Sequence, residues 1–103
     1  MDYGEKIFHL SNQFPKEEMS NLTSQIRRAV DSIALNISEG SIGQSNPEYR
    51  RFIGMATRSL AEVVTCLHKA SRRMYISDSE FNENYECAYN LMNMMAAFKK
   101  KIN

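Results

Sequence analysis

Residues 14–40 read FPKEEMSNLTSQIRRAVDSIALNISEG, and the spacing within this stretch decides the fold class. Its apolar residues recur three and four positions apart, which is the period of one helix face and not the alternation of a strand. Pro15 suits a first helical turn, Glu17 and Glu18 complement the positive end of the helix dipole, and Gly40 is well placed as a C-terminal cap. We therefore predict a helix over residues 16–39. Its apolar face consists of Met19, Leu22, Ile26, Ala29, Val30, Ile33 and Ile37.

Three further stretches carry the same helical period. Pro15 stops the first of them, because proline disfavours helical geometry in the residue before it. Asn46 before Pro47 places a capping side chain ahead of a proline in the first turn, and Ser77 with Glu80 fits a capping box. The sequence thus predicts four helices. They cover residues of about 2–13, 16–39, 47–74 and 78–101.

The lengths of these helices indicate how they pack. A chain of 103 residues suits a single domain, residues 1–103. The connection between helices 3 and 4 is short, so these two helices must be antiparallel neighbours. At about 1.5 Å per residue, helix 1 spans roughly 18 Å and helix 2 roughly 36 Å, so helix 1 covers only half of the groove beside it. We predict an all-α fold, an antiparallel up-down-up-down four-helix bundle with a short first helix. The other half of the groove is either covered by something else or open.

The composition restricts the functional classes. The apolar fraction of 43% and the charged fraction of 24% are those of a globular domain, which argues against a disordered chain. The net charge of +1 gives no whole-chain reason to expect a nucleic acid or a membrane as partner. No apolar run approaches the roughly 20 residues of a membrane span, and the N-terminus lacks the features of a secretory signal. We expect a cytoplasmic protein without a membrane partner.

A polar stripe runs beside the apolar face of helix 2. Three interpretations stay open: a solvated flank, a half-buried hydrogen-bond network or subunit contact, and a catalytic site. Leu35 stands on the outer side of the stripe, where a lone monomer would expose it, and this favours a contact surface. We expect Glu62 on helix 3 as an acidic partner. The polar stripe consists of Asn21, Gln25, Arg28, Ser32, Asn36 and Glu39.

A basic stripe is predicted on helix 3, opposite its apolar face. Residues 46–76 contain six basic residues against only two acidic ones, Glu48 and Glu62. Such a stripe can follow the phosphates of a nucleic acid, although helix 3 interleaves no aromatic residue that could stack on bases. The alternative is a solvated face with partial salt bridges. The basic stripe consists of Arg51, Arg58, Lys69, Arg72 and Arg73.

The remaining features favour self-association over catalysis. The apolar residues of helix 4 cover more than half of its circumference, which suggests a second buried face, although exposed apolar residues are also common. Cys66 and Cys87 lack the spacing of a metal motif and are best explained as small buried residues, with a redox or metal role as the alternative. His9 and His68 lie on separate helices. We expect no catalytic residues, no metal and no cofactor.

Two stretches resemble the four-helix-bundle proteins named after reading frames in the intervening sequences of 23S ribosomal RNA genes. Residues 14–40 resemble the family string FPxEExYxLxxQxRRAxxSIxxNIAEG, and residues 48–65 resemble EFxxFLxxAxGSLxELxT. The matching positions of the first stretch are Phe14, Pro15, Glu17, Glu18, Leu22, Gln25, Arg27, Arg28, Ala29, Ser32, Ile33, Asn36, Ile37, Glu39 and Gly40. Those of the second are Glu48, Phe52, Ile53, Ala56, Ser59, Leu60, Glu62 and Thr65.

The resemblance implies a left-handed up-down bundle, assembly into a ring that is often a homopentamer, and no known catalytic activity. A related group binds nucleic acid through a basic ring surface and assists the reverse transcriptase of diversity-generating retroelements. Ala34 stands where the family carries proline, which removes the reason for a kink, and a first helix shorter than that of similar sequences bears on ring assembly. We expect a non-enzymatic, self-assembling protein, most simply a pentamer, that contacts RNA, DNA or a nucleic-acid enzyme. The alternative is a scaffold or adaptor that binds only protein.

Overall fold

The computed structural model describes residues 2–42 and 45–102, and within these residues the regular structure is entirely helical. A short 3-10 helix, Lys16–Glu18, lies between the first two α-helices. The predicted all-α fold with four α-helices is confirmed. The α-helices are α1, Tyr3–Ser11; α2, Leu22–Gly40; α3, Asn46–Arg72; and α4, Asp78–Lys101.

Side-chain caps begin three of the four α-helices. The Asp2 carboxylate accepts a backbone N–H of the first turn of α1 at 2.9 Å. The Ser45 hydroxyl accepts a backbone N–H of the first turn of α3. The cap of α3 is therefore Ser45, one residue before the predicted capping residue Asn46. The predicted capping box of α4 is confirmed, because Ser77 and Glu80 each accept the other's backbone N–H. Each cap satisfies a donor that the helix itself leaves free.

The structure divides the helix predicted over residues 16–39. The first turn is a 3-10 helix, and α2 begins only at Leu22. Glu18 explains the break, since its side chain turns inward and the residue is only 9% exposed. Its carboxylate accepts the backbone N–H of Leu22 at 3.4 Å and the side-chain amide of Asn21 at 3.1 Å. This carboxylate therefore satisfies a free donor at the start of α2 from outside the helix.

Two helix ends also differ from the expectation. Gly40 does not cap α2 in a left-handed conformation, because it is the last helical residue and Ser41 follows in the right-handed region. Glycine at position 40 instead allows α2 and α3 to pack closely, since a Cβ at this position would lie 2.6 Å from Cδ1 of Tyr49. Met74 falls in the range predicted for helix 3. It lies after α3 instead, with φ of 63° and 87% of its surface exposed.

The apolar stripes of the helices meet in a single core. The stripes of α2 and α3 provide most of it, as their helical period predicted. Burying these side chains is the main favourable contribution to folding, at about 25 cal/mol per Å² of apolar area. The core residues that are at most 2% exposed are Ile7, Leu22, Ile26, Ala29, Ile53, Ala56, Leu60, Val63, Cys66, Leu67, Ala70 and Ala88.

Polar contacts fix the ends of α3 against α4. The Arg50 guanidinium donates to the backbone carbonyls of Lys99 and Ile102, at 2.5 and 3.0 Å. At the other end of α3, the His68 ring lies 5.0 Å from the ring of Phe81. The start of α3 thus lies beside the end of α4, where the Arg50 guanidinium adds a donor to two backbone carbonyls.

Candidate functional surfaces

The polar stripe of α2 lies along the seam between α2 and α3. The Gln25 amide donates to Asn21 Oδ1 at 3.3 Å, and the Asn36 amide donates to the Ser32 carbonyl at 2.8 Å. The Ser59 hydroxyl on α3 donates to the Ser32 hydroxyl at 2.9 Å. Four of the six members of the polar stripe therefore form hydrogen bonds within one chain, and the two serines join α2 to α3.

The charged members of the polar stripe behave differently. Arg28 and Glu39 are exposed, as is Glu62 on α3. Within residues 2–42 and 45–102, none of these three side chains forms a hydrogen bond or an ion pair. Leu35 lies on the same outer side of α2 and is 64% exposed. A single chain thus leaves the cation Arg28, the anion Glu39 and the apolar residue Leu35 exposed on the outer side of α2.

A second polar network joins the 3-10 helix to the end of α3, and the sequence did not predict it. The Glu18 carboxylate accepts from the Tyr75 hydroxyl at 2.7 Å and from the Arg73 guanidinium at 3.0 Å. The Tyr75 hydrogen bond is the main reason that the pKa of Glu18 is lowered, and the same bond raises the pKa of Tyr75. Arg73, predicted for the basic stripe, therefore has a structural role.

Three cations of the basic stripe remain free on the exposed side of α3. Arg51 pairs with Glu48 one turn earlier, at 3.2 Å. Arg58, Lys69 and Arg72 are exposed, and none of their side chains has a hydrogen-bond or ion-pair partner among the described residues. At about 1.5 Å per residue, the segment from Arg58 to Arg72 extends for roughly 21 Å. The structure thus separates the predicted stripe into two paired and three unpaired cations.

Aromatic rings of α4 lie against His68, the residue before Lys69 on α3. Tyr85 stacks on Phe81, with ring centroids 5.6 Å apart, and its ring lies 6.0 Å from that of His68. Tyr85 and Tyr89 also line a small apolar hollow of about 160 Å³, whose α3 wall includes Ala61. The sequence did not predict the ring contacts of His68, because Phe81 and Tyr85 lie on another helix.

The described cysteines and histidines do not form a chemical site. Burial raises the pKa of the Cys66 thiol, the opposite of what an activated nucleophile needs. Cys87 accepts a hydrogen bond from the Lys6 ammonium at 3.4 Å. His68 packs against aromatic rings, and His9 is exposed. Among residues 2–42 and 45–102, no group of three His, Cys, Asp or Glu side chains could hold a metal ion.

An open groove lies where α1 stops covering α2. Its volume is about 720 Å³. The groove lies between the first turn of α1, the second half of α2 and Leu91 of α4, and the length difference between the helices predicted such an uncovered region. Its α2 wall includes Val30, Ile33 and Ile37.

These features define the class of protein as an all-α helical bundle with exposed polar and apolar surfaces. None of its described helices has the length and apolar character to cross a membrane. The chain belongs to the 23S rRNA-intervening sequence protein family, whose model matches residues 1–97, and the resemblance seen in the sequence is confirmed. A search of curated proteins found no match.

Proposed function

We propose that this protein is a non-enzymatic, self-assembling helical bundle that binds the phosphate backbone of RNA or DNA through α3. The observation that carries the proposal is the set of three exposed cations without partners among the described residues, Arg58, Lys69 and Arg72. Cations that lack acidic partners within the chain are free to neutralise phosphates and release their counterions. His68 and Tyr85, beside the stripe, add rings on which an unpaired base can stack.

The proposed bundle is antiparallel, up-down-up-down and left-handed. Contacts between opposite ends of neighbouring helices support the antiparallel order. Tyr49 near the start of α3 packs edge-on against Phe98 near the end of α4, at 5.4 Å between ring centroids. The Cys66 thiol near the end of α3 donates to Gln25 Oε1 near the start of α2, at 4.0 Å. The resemblance to the family supports the left-handed sense. In the proposed bundle the basic stripe of α3 faces outward.

The proposed assembly is a homo-oligomer, with five subunits as the family's usual ring. Large apolar side chains of α4 that one chain leaves exposed support it, among them Tyr89 and Met94 at 59% and 67%. The charges of Arg28 and Glu62, unpaired among the described residues, supply complementary partners across such a contact. Light scattering at micromolar concentration should give about five times the chain mass of 11.9 kDa. A mass near 11.9 kDa would contradict self-assembly.

Oligomerisation gives the basic stripe enough affinity to be useful. One subunit offers three cations that are unpaired within the described part of the chain, which is too few for tight binding at physiological salt. A ring repeats the stripe, and repeated weak sites raise the overall avidity through their effective concentration. The proposed binding is therefore insensitive to sequence and steep in its dependence on salt. The partner in a cell is RNA, DNA or a complex of nucleic acid with its enzyme, in the cytoplasm.

Filter binding to structured RNA and to duplex DNA across a salt series tests the proposal. Charge reversal of Arg58 and Lys69 to glutamate should weaken binding and flatten the salt slope by about 0.7–0.9 for each phosphate that is no longer neutralised. The matched control reverses Lys16 and Lys101, two exposed cations outside α3, and should leave the slope unchanged. Circular dichroism checks that both variants keep the helical fold.

The alternative function is a scaffold or adaptor that binds only protein. The apolar groove beside α1 favours it, because a groove of this kind suits a peptide or a helix. If the intact oligomer binds neither RNA nor DNA at about 50 mM salt, the protein-only function is the better one. If control and stripe variants weaken binding equally, the interaction is an unspecific charge effect and the assignment to α3 fails.

A further inference from the structure

The groove beside α1 combines an apolar floor with an acidic rim. Val30 and Ile33 of α2 form part of its floor, and both are core residues, at 4% and 5% exposure. Leu35 and Phe8 stand at its sides with 64% and 45% of their surface exposed. Apolar area of this kind is stabilised when it is removed from water. A further apolar element that covers the groove would therefore bind with a favourable free energy.

The charged residues that line the groove carry one sign. Asp2, Glu5 and Asp31 line it, and all three are exposed. The carboxylates of Glu5 and Asp31 form no hydrogen bond or ion pair with the described residues, whereas Asp2 caps α1. Within the described part of the chain, no lysine or arginine lines the groove. The rim thus has an excess of negative charge that a cationic partner would complement.

Two cations of α2, Arg27 and Arg28, precede the α2 wall, and neither of them lines the groove. Arg27 stacks over the Phe8 ring, 4.2 Å from its centroid, and donates to the side chains of Ser11 and Asn12 at 2.8 Å each. Its guanidinium is thereby held at the end of α1, away from the first turn where Glu5 lies. Arg27 therefore serves the contact between α1 and α2.

We propose that this groove binds an amphipathic helix of a partner protein, with an apolar stripe flanked by lysine or arginine. The groove runs along α2 from Val30 to Ile37, a length of roughly 10 Å, beside the first turn of α1. A partner helix would lie on the side of the bundle that α1 leaves open. Its apolar stripe would cover Ile33 and Ile37, and its basic flank would meet Glu5 and Asp31. This inference is independent of nucleic-acid binding.

The test uses the full chain and two synthetic peptides of about 18 residues, labelled with fluorescein. Both carry leucine at helical spacing, and one carries lysine on its flanks where the other carries glutamate. Fluorescence anisotropy at low salt should show the lysine peptide binding at least about tenfold more tightly than the glutamate peptide. Raising the salt should reduce this preference, because screening weakens the interaction of exposed charges.

Groove variants then locate the peptide. Reversing Glu5 and Asp31 to lysine should lower the affinity for the lysine peptide by about tenfold or more and raise that for the glutamate peptide. The control reverses Glu17 and Glu86, two exposed acids that do not line the groove, and should change neither affinity. A reversal that swaps the preference cannot be explained by partial unfolding, because unfolding would weaken both peptides.

A bulky substitution tests the apolar part of the groove. Ala34→Trp fills the space and should weaken binding of both peptides, whereas Ala97→Trp on the exposed side of α4 should not. Absence of peptide binding, or binding that ignores these variants, overturns the proposal. So does dissociation of an oligomer by Ala34→Trp, because a second copy would then be what covers the groove.

Discussion

Replacing Gly40 by alanine measures how closely α2 and α3 approach. A Cβ on Gly40 would lie 2.6 Å from Cδ1 of Tyr49 and 2.9 Å from Cβ of Phe52, closer than ordinary van der Waals contact. The Phe52 Cβ is fixed to the α3 backbone, and the Tyr49 ring is packed edge-on against Phe98. Neither neighbour can move away without shifting the two helices. We therefore expect Gly40→Ala to destabilise the protein.

The magnitude follows from two opposing effects. Alanine is favoured over glycine within a helix by about 0.5–1 kcal/mol, whereas overpacking a tight contact costs about 1–3 kcal/mol. The net expectation for Gly40→Ala is a decrease of about 1–2 kcal/mol in the free energy of unfolding. Gly54→Ala is the matched control. A Cβ at Gly54 would meet only the mobile end of Lys99, at 3.4 Å, so we expect an increase of about 0.5–1 kcal/mol.

Thermal unfolding followed by circular dichroism at one protein concentration distinguishes the two variants. For a domain of this size, about 1 kcal/mol shifts the melting temperature by roughly 4–8 °C. Gly40→Ala should therefore melt on the order of 10 °C below Gly54→Ala, with wild type between them. If Gly40→Ala melts at or above wild type, the close approach of α2 and α3 at Gly40 is not a constraint on the fold and the reasoning is wrong.

Three further changes probe the core, a cap and a carboxylate. Leu60→Ala, at a fully buried position, should lower the free energy of unfolding in urea by about 2–5 kcal/mol, and a decrease under about 1 kcal/mol would contradict its central position. Ser77→Ala should cost about 0.5–2 kcal/mol by removing the α4 cap, whereas Ser79→Ala, exposed in the same turn, should change stability by less than about 0.5 kcal/mol. Glu18 has a lowered pKa in the folded state, so its ionised form adds stability above the ordinary value of 4.5 and loses it as the pH falls further. The excess stability of wild type over Glu18→Gln should then shrink below pH 4.5 in urea titrations, and a pH-independent difference would show that the charge is not involved.

The local patterns of the sequence were sufficient to predict four α-helices and the buried face of α2. The period of three and four in residues 14–40 predicted which side of α2 is buried, and Ile26, Ala29 and Ile33 are in the core. The capping box at Ser77 was readable because both of its members lie within one turn. Helical period and capping depend on neighbours at most four residues away, and the sequence displays such neighbours directly.

The division of the basic stripe into paired and free cations depended on the tertiary structure. Arg73 pairs with Glu18, 55 residues away, and Arg50 reaches Lys99, 49 residues away. The same holds for the inward turn of Glu18, which interrupts the predicted second helix because Tyr75 and Arg73 bond its carboxylate. Nothing in the helical period marks these partners, because a period shows which face a side chain occupies and not what the neighbouring helix presents to it.

The surfaces proposed for function likewise depended partly on the sequence and partly on the tertiary structure. The sequence alone determined that helix 3 is basic on its outer face and that helix 1 is too short to cover helix 2. Only the packed chain brought Tyr85 of α4 beside His68 of α3, and only the packed chain placed Glu5 and Asp31 on the rim of one apolar groove. Composition and spacing fix the character of each face, but the distance between two faces is set by how the core side chains interlock across helices.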